Sequence, residues 1–259
     1  MRGLEAGRAM LFALSSLVLA FLLLYFSWAV GRFSAISLSN DELRFSAALS
    51  LTTSSFATLV SIFTALPVAH ALARRPGIAE RAALALLILP SALSPAAVGL
   101  LLLIFFTQTS VGGALNELFS FVNDPKGVAL VQLVIAYPTA LGVLAPMLGA
   151  LGEEYEEVAA TLGYGRLEAL YRLIAPMLGR ELGLASLLVF ARTLGEFGGS
   201  YIVGGAIRMR TETLPIALYY ASTYGDIPTL ASALTLYTLI VLAIVFAAGY
   251  MSLGVVRRD

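Results

Sequence analysis

The sequence has no cysteine, a single lysine (Lys126) and a single histidine (His70). Without cysteine there are no disulfides and no thiolate metal centres, and one imidazole with no partner is a poor zinc site, so His70 reads as structural. Charged residues make up only 12% and the formal net charge is zero, which removes any bulk attraction to nucleic acid. There is no G-x-x-x-x-G-K-[ST] phosphate loop, no G-x-S-x-G elbow and no H-E-x-x-H pair. Nucleotide hydrolysis and the common hydrolase chemistries therefore have no visible machinery in this chain. What is abundant is apolar: 59% of residues are hydrophobic and the mean hydropathy is +0.89, values that belong to a protein dissolved in lipid.

A helix crosses a bilayer with about 20 mostly apolar residues. Six stretches reach that length: 9–30, 46–72, 82–107, 128–150, 182–202 and 230–255. The expected fold is all-α, one polytopic domain over residues 1–259. The first stretch is too long for a signal-peptide core and lacks a clear small-x-small cleavage site, so it reads as a retained span. Pro67, Pro90, Pro95, Pro138 and Pro146 fall within the spans, where neighbouring helices or water must satisfy the carbonyls they free. With the N-terminus inside, the inner segments carry ten basic residues and the outer ones five, which predicts that both termini are cytoplasmic. The 213–222 stretch is apolar yet too short to span, and reads as an outer helix or a re-entrant piece.

One polar segment, residues 153–177, interrupts this pattern on the inner side. Tyr155, Val158, Ala159 and Leu162 follow the spacing of one helical face, with Glu153, Glu154, Glu156 and Glu157 crowding the first turn, where carboxylates suit the helix dipole. Gly163 supplies the left-handed residue that ends such a helix. A second face follows through Leu167, Leu170, Tyr171 and Ile174, and Pro176 stops it. Amphipathic helices lying on the inner leaflet are usually basic, because the lipid is anionic. Clustered glutamates point instead to a protein partner, and the small Ala159 and Ala160 would let that partner approach the backbone closely.

The spacing Glu157, Ala159, Gly163 and, thirteen residues on, Pro176 resembles the EAA motif of ABC importer permeases. It departs at Val158, usually Ala, and at Leu173 and Ala175, where the family has Ile and Leu. The resemblance implies that Glu156, Glu157, Val158, Ala159, Ala160, Leu162, Gly163 and Pro176 couple this chain to a separate ATP-binding cassette subunit. It implies no cofactor here and ATP-Mg in that partner. It further implies two permease copies, two ATPases and an external binding protein, assembled in a prokaryotic plasma membrane. Residues 89–103, 190–205 and 210–226 are similar to the molybdate, tungstate and sulfate branch, with molybdate or tungstate ahead of sulfate or thiosulfate.

Arg192 and Glu196 are ionisable residues inside the fifth expected span, four apart on one face. They read either as a neutralising pair or as pathway lining, and the resemblance tips them, with Pro90, Pro95, Gly198 and Gly199, toward an outer gate. For most of the glycines around them close helix packing is the expected role. The hydroxyl row Thr52, Thr53, Ser54, Ser55 and Thr58 is expected to bond its own helix or a neighbour. An ion-coupled secondary transporter would also be a six-span bundle, but it would show internal repeats and more mid-membrane acids than Glu196.

Overall fold

The computed structural model describes residues 40–74, 77–152 and 154–252, and among these every regular element is helical. The expected span 9–30 lies outside them, as do Glu153 and both chain ends, which carry Arg2, Arg8, Arg257 and Arg258. Helix α1 (Asp41–Ala73) starts on the Asn40 side chain, which accepts from Leu43 N, with Asp41 and Glu42 in its first turn. Helices α2 (Ile78–Ala92) and α3 (Pro95–Gln108) follow, then α4 (Ser110–Phe119) and α5 (Pro125–Gly149).

The third expected span is not one straight helix. Its two halves, α2 and α3, meet at 111°, because Ser94 caps α3 through Ala97 N and Pro95 takes the first helical position, a start signal where a continuous helix would need none. The fifth expected span is broken as well. Helix α9 (Gly179–Leu194) stops at Gly195, and a short α10 (Gly198–Gly204) begins only after Phe197. Among the described residues α1, α5 and α12 (Ile227–Ser252) are long and apolar enough to cross a membrane, and up to five spans result if α2 with α3, and Arg166–Met177 with α9, each count as one bent span. The 213–222 stretch forms α11 (Leu214–Thr223), too short to cross, pinned where Leu214 N donates to Ser50 Oγ at 2.7 Å.

α1 and α5 form the central pair, with α9 packed on both and α3, α5 and α10 forming a second contact region. The main core joins Leu66 of α1, Leu141, Leu144 and Leu148 of α5, and Val189 of α9, all buried. Proline is accommodated as expected at Pro67. Its missing N–H leaves the Phe63 carbonyl free, and the Tyr171 hydroxyl donates to it at 2.8 Å while the two rings stack at 5.0 Å. Within the hydroxyl row Thr52 and Thr53 donate to carbonyls of their own helix and Thr58 meets the Thr193 hydroxyl on α9, as expected, whereas the buried Ser54 Oγ has no partner among the described residues.

Candidate functional site

The polar segment folds as a helix, a tight turn and a second helix: α6 (Glu154–Thr161), then α7 (Arg166–Ala169), a π-helical turn (Leu170–Ile174) and α8 (Ala175–Met177). The turn is built by Gly163, whose φ is +83°. Gly163 N donates to Ala160 O and Tyr164 N to Ala159 O, both at 3.0 Å, the paired bonds of a Schellman ending. Further along, Ala175 N reaches back five residues to Leu170 O, so the turn before Pro176 is wound one residue wider than an α-helix. Pro176 cannot donate, and the wider turn moves its ring off the preceding carbonyls. After Met177 the chain bends by 89° into α9.

The face predicted as one unit divides. Ala159 is fully buried, whereas Tyr155, Val158 and Leu162 are exposed, together with Leu167 after the turn. Glu157 and Ala160 are also exposed. Leu170 and Ile174 are buried in the main core with Leu66, Leu144 and Val189, so the element is nailed at its C-terminal end into the membrane-spanning helices.

Glu156 turns inward. Its Oε1 accepts from Arg74 Nε at 2.6 Å and lies 2.9 Å from His70 Nε2, both at the C-terminal end of α1. Arg74 also donates to the Leu151 carbonyl, tying the approach to α6 to the same spot. Burial alone would raise the Glu156 pKa; the Arg74 hydrogen bond and the His70 contact outweigh it and hold the carboxyl below its ordinary value. His70, expected to lack carboxylate neighbours, therefore has one. Glu156 and His70 are 86 residues apart, and no local spacing announces the contact.

The second group of expected residues meets at the crossing of α3 and α10. A Cβ on Gly99 would stand 2.6 Å from Gly199 Cα, and one on Gly199 would stand 2.9 Å from the Pro95 carbonyl and 2.5 Å from Val131. A Cβ on Gly198 would stand 3.0 Å from Ala96 N. These glycines permit backbone-to-backbone contact that any side chain would prevent. Glu196 is buried, and its Oε1 accepts from Gly199 N at 2.7 Å and Ser200 N at 3.2 Å, capping α10.

The Arg192–Glu196 pairing is corrected. The helix ends between them, Arg192 is exposed in the last turn of α9, and no ion pair joins them among the described residues. A cation there suits the negative end of α9, and the carboxylate suits the positive end of α10. Pro90 lies inside α2, on the other side of the 111° bend from Pro95. Gly99, Arg74 and His70 had no signal in the sequence beyond their residue types.

Bent and broken spans around a glycine seam, together with a polar helix-turn-helix rooted in the core, define a polytopic transport component. The chain belongs to the family of binding-protein-dependent transport system inner membrane components, which it matches over residues 57–251. It is 32% identical over 199 residues to the molybdenum transport system permease protein ModB of Mycobacterium tuberculosis, covering 76% of this chain and 75% of that one. ModB of Azotobacter vinelandii is 26% identical over 212 residues, 80% of this chain and 94% of that one. The sulfate transport system permease protein CysW of Synechococcus elongatus is 31% identical over 157 residues, 58% and 54% of the two chains. In fold the chain is similar to a bacterial ABC transporter involved in the import of the acidic polysaccharide alginate, with a TM-score of 0.57 and 15% identity, over 86% of this chain and 78% of that one. The protein is a multi-pass inner membrane permease subunit of an ABC importer, with a transport role, and it works with an ATPase and a binding protein.

Proposed function

We propose that this permease forms the membrane pathway for molybdate or tungstate, with sulfate the second reading within the same branch. The observation that carries the order is coverage: the similarity to molybdenum permeases runs through 76% and 80% of the chain, that to the sulfate permease CysW through 58%. Two copies face each other to close the pathway, since one chain carries one coupling element and leaves apolar faces open. Both termini lie in the cytoplasm.

The exposed face of Tyr155, Val158, Leu162 and Leu167, with Glu157 and Ala160 beside it, seats in a cleft of the ATPase. The ATPase binds ATP-Mg, and this chain uses no cofactor. Its movement reaches the spans by two routes: the Glu156 clamp on α1, and Leu170 and Ile174 in the core. The seam of Pro95, Gly198 and Gly199, with Arg192, Glu196 and Pro90 near it, forms the outer gate. A tight dianion site inside lipid needs several convergent donors, whereas the one arginine near the seam is exposed and the carboxylate is committed to α10. The external binding protein therefore selects the anion and the permease passes it.

The test is reconstitution of the complex with and without its binding protein, weighing the intact assembly and measuring uptake of molybdate, tungstate and sulfate. Two permeases per two ATPases, and discrimination only when the binding protein is present, are expected. One permease per assembly would overturn the pairing. Strong discrimination without the binding protein would move selectivity into the spans.

A further inference from the structure

The end of α1 remote from the coupling element holds two carboxyls that share one place. Glu212 lies in the loop between α10 and α11, is 1% exposed, and no N–H or O–H donor reaches its Oε2. Glu42, in the first turn of α1, lines the same cavity and brings its carboxyl within hydrogen-bonding reach of Glu212. Two carboxyls can hydrogen-bond only if one carries a proton.

The surroundings confine that proton to the pair. Arg208 reaches Glu42 Oε1 at 3.3 Å, and its guanidinium lies 5.6 Å and 5.3 Å from the rings of Tyr220 and Tyr224 on α11, so one cation serves two carboxylates; together with the Met209 N–H it only partly offsets the charge on Glu212. Arg210 is turned to Asp124 at 3.6 Å, and Arg44 to Asp41 at 3.6 Å. Asp226, at the head of α12, accepts from Thr229 N. The Tyr220 hydroxyl donates to Ala206 O and so offers the pair no proton. Burial, reinforced by the facing Glu42 carboxylate and the hydrogen bond to it, pushes Glu212 up to about 7. A cavity of about 200 Å³, lined by Glu42, Arg208, Glu212, Tyr220 and Asp226 among others, gives water a route to the pair.

The loop that the pair holds is tightly wound. Ala206 and Met209 adopt φ of 50° and 55°, a left-handed conformation that L side chains resist. Ile207 N donates to Thr211 Oγ1, closing the turn.

We propose that Glu42 and Glu212 form a proton-binding latch: a proton bridging the two carboxyls fastens the 205–213 loop to the head of α1, and its loss lets the loop swing away. Burial and the facing carboxylate favour the bridged form, and a rise in pH on that side of the membrane releases it. This holds whichever anion the permease carries.

The test is hydrogen exchange of the loop amides in the full-length protein in lipid nanodiscs, at pH 6 and pH 8, corrected for base catalysis of exchange. If opening follows the deprotonated fraction of a group titrating near 7, exchange should rise about tenfold across that interval. Glu212→Gln keeps a hydrogen-bond donor toward Glu42 and cannot lose a proton, so the loop should stay slow at both pH values. Glu42→Gln removes the like charge and should flatten the response in the same way. An infrared carbonyl band of a protonated carboxylic acid should be present at pH 6, fade by pH 8 and be absent from Glu212→Gln. A wild-type loop with no pH response, or an unchanged response in Glu212→Gln, would overturn the latch.

Discussion

Substituting Gly163 isolates the turn between α6 and α7 from everything around it. A Cβ at this position meets nothing within 4 Å, so the cost of a side chain comes from the backbone alone, whose φ is +83°. An L residue in that region costs roughly 1–2 kcal/mol, and a β-branched one sits at the upper end. In Gly163→Val the ratio of formed to frayed turn should therefore fall roughly 5- to 30-fold. Fraying breaks the Gly163 N–Ala160 O and Tyr164 N–Ala159 O bonds and releases α6 from its angle to α7. Asparagine tolerates the left-handed region, so Gly163→Asn adds a larger polar side chain than an alanine would while leaving the turn intact. Uptake by the reconstituted complex should drop in Gly163→Val and stay near wild type in Gly163→Asn, with equal membrane insertion for both. Wild-type uptake by Gly163→Val, in a preparation that retains its ATPase, would refute the idea that this turn sets the coupling geometry. Equal losses in both variants would assign the effect to surface chemistry instead.

The clamp and the seam give two further expectations. Glu156→Gln leaves Arg74 facing a neutral amide and should cost about 1–2 kcal/mol of local stability, read as faster hydrogen exchange in α6. Because the Glu156 pKa is depressed, its stabilisation is complete at neutral pH and is lost only as pH falls through the folded value, below its ordinary 4.5, so wild-type and variant exchange should converge in acid. Gly199→Ala drives a methyl into Val131 and the Pro95 carbonyl and should lower thermal stability by about 1–3 kcal/mol, while Gly142→Ala, with open space around it, should not. Equal unfolding temperatures for these two variants would contradict the seam.

Much of this was legible in one dimension. The long apolar runs located α1, α5 and α12, because lipid leaves a spanning chain few choices but a continuous helix. The helix, Gly163 and second helix were legible because dipole, face and turn all act within a few residues. The breaks at Leu93 and Gly195 were not, since both fall inside stretches long enough to read as single spans and only the caps at Ser94 and Glu196 mark them. Arg192 and Glu196 misled for the same reason: spacing of four implies a shared face only when the helix continues. The Glu156 clamp joins residues more than eighty positions apart, and nothing local encodes such a meeting.

The wide turn at Leu170–Ile174 amounts to a phase slip along the chain. One surplus residue rotates everything upstream by about 100° and shifts it by about 1.5 Å relative to an unbroken helix. The exposed face of α6 and the buried core are thus set to different compass bearings by a single inserted position. A one-residue deletion there would restore α-helical winding only by driving the Pro176 ring back onto the preceding carbonyls, and it would turn Leu167 and the α6 face about 100° from their present bearing.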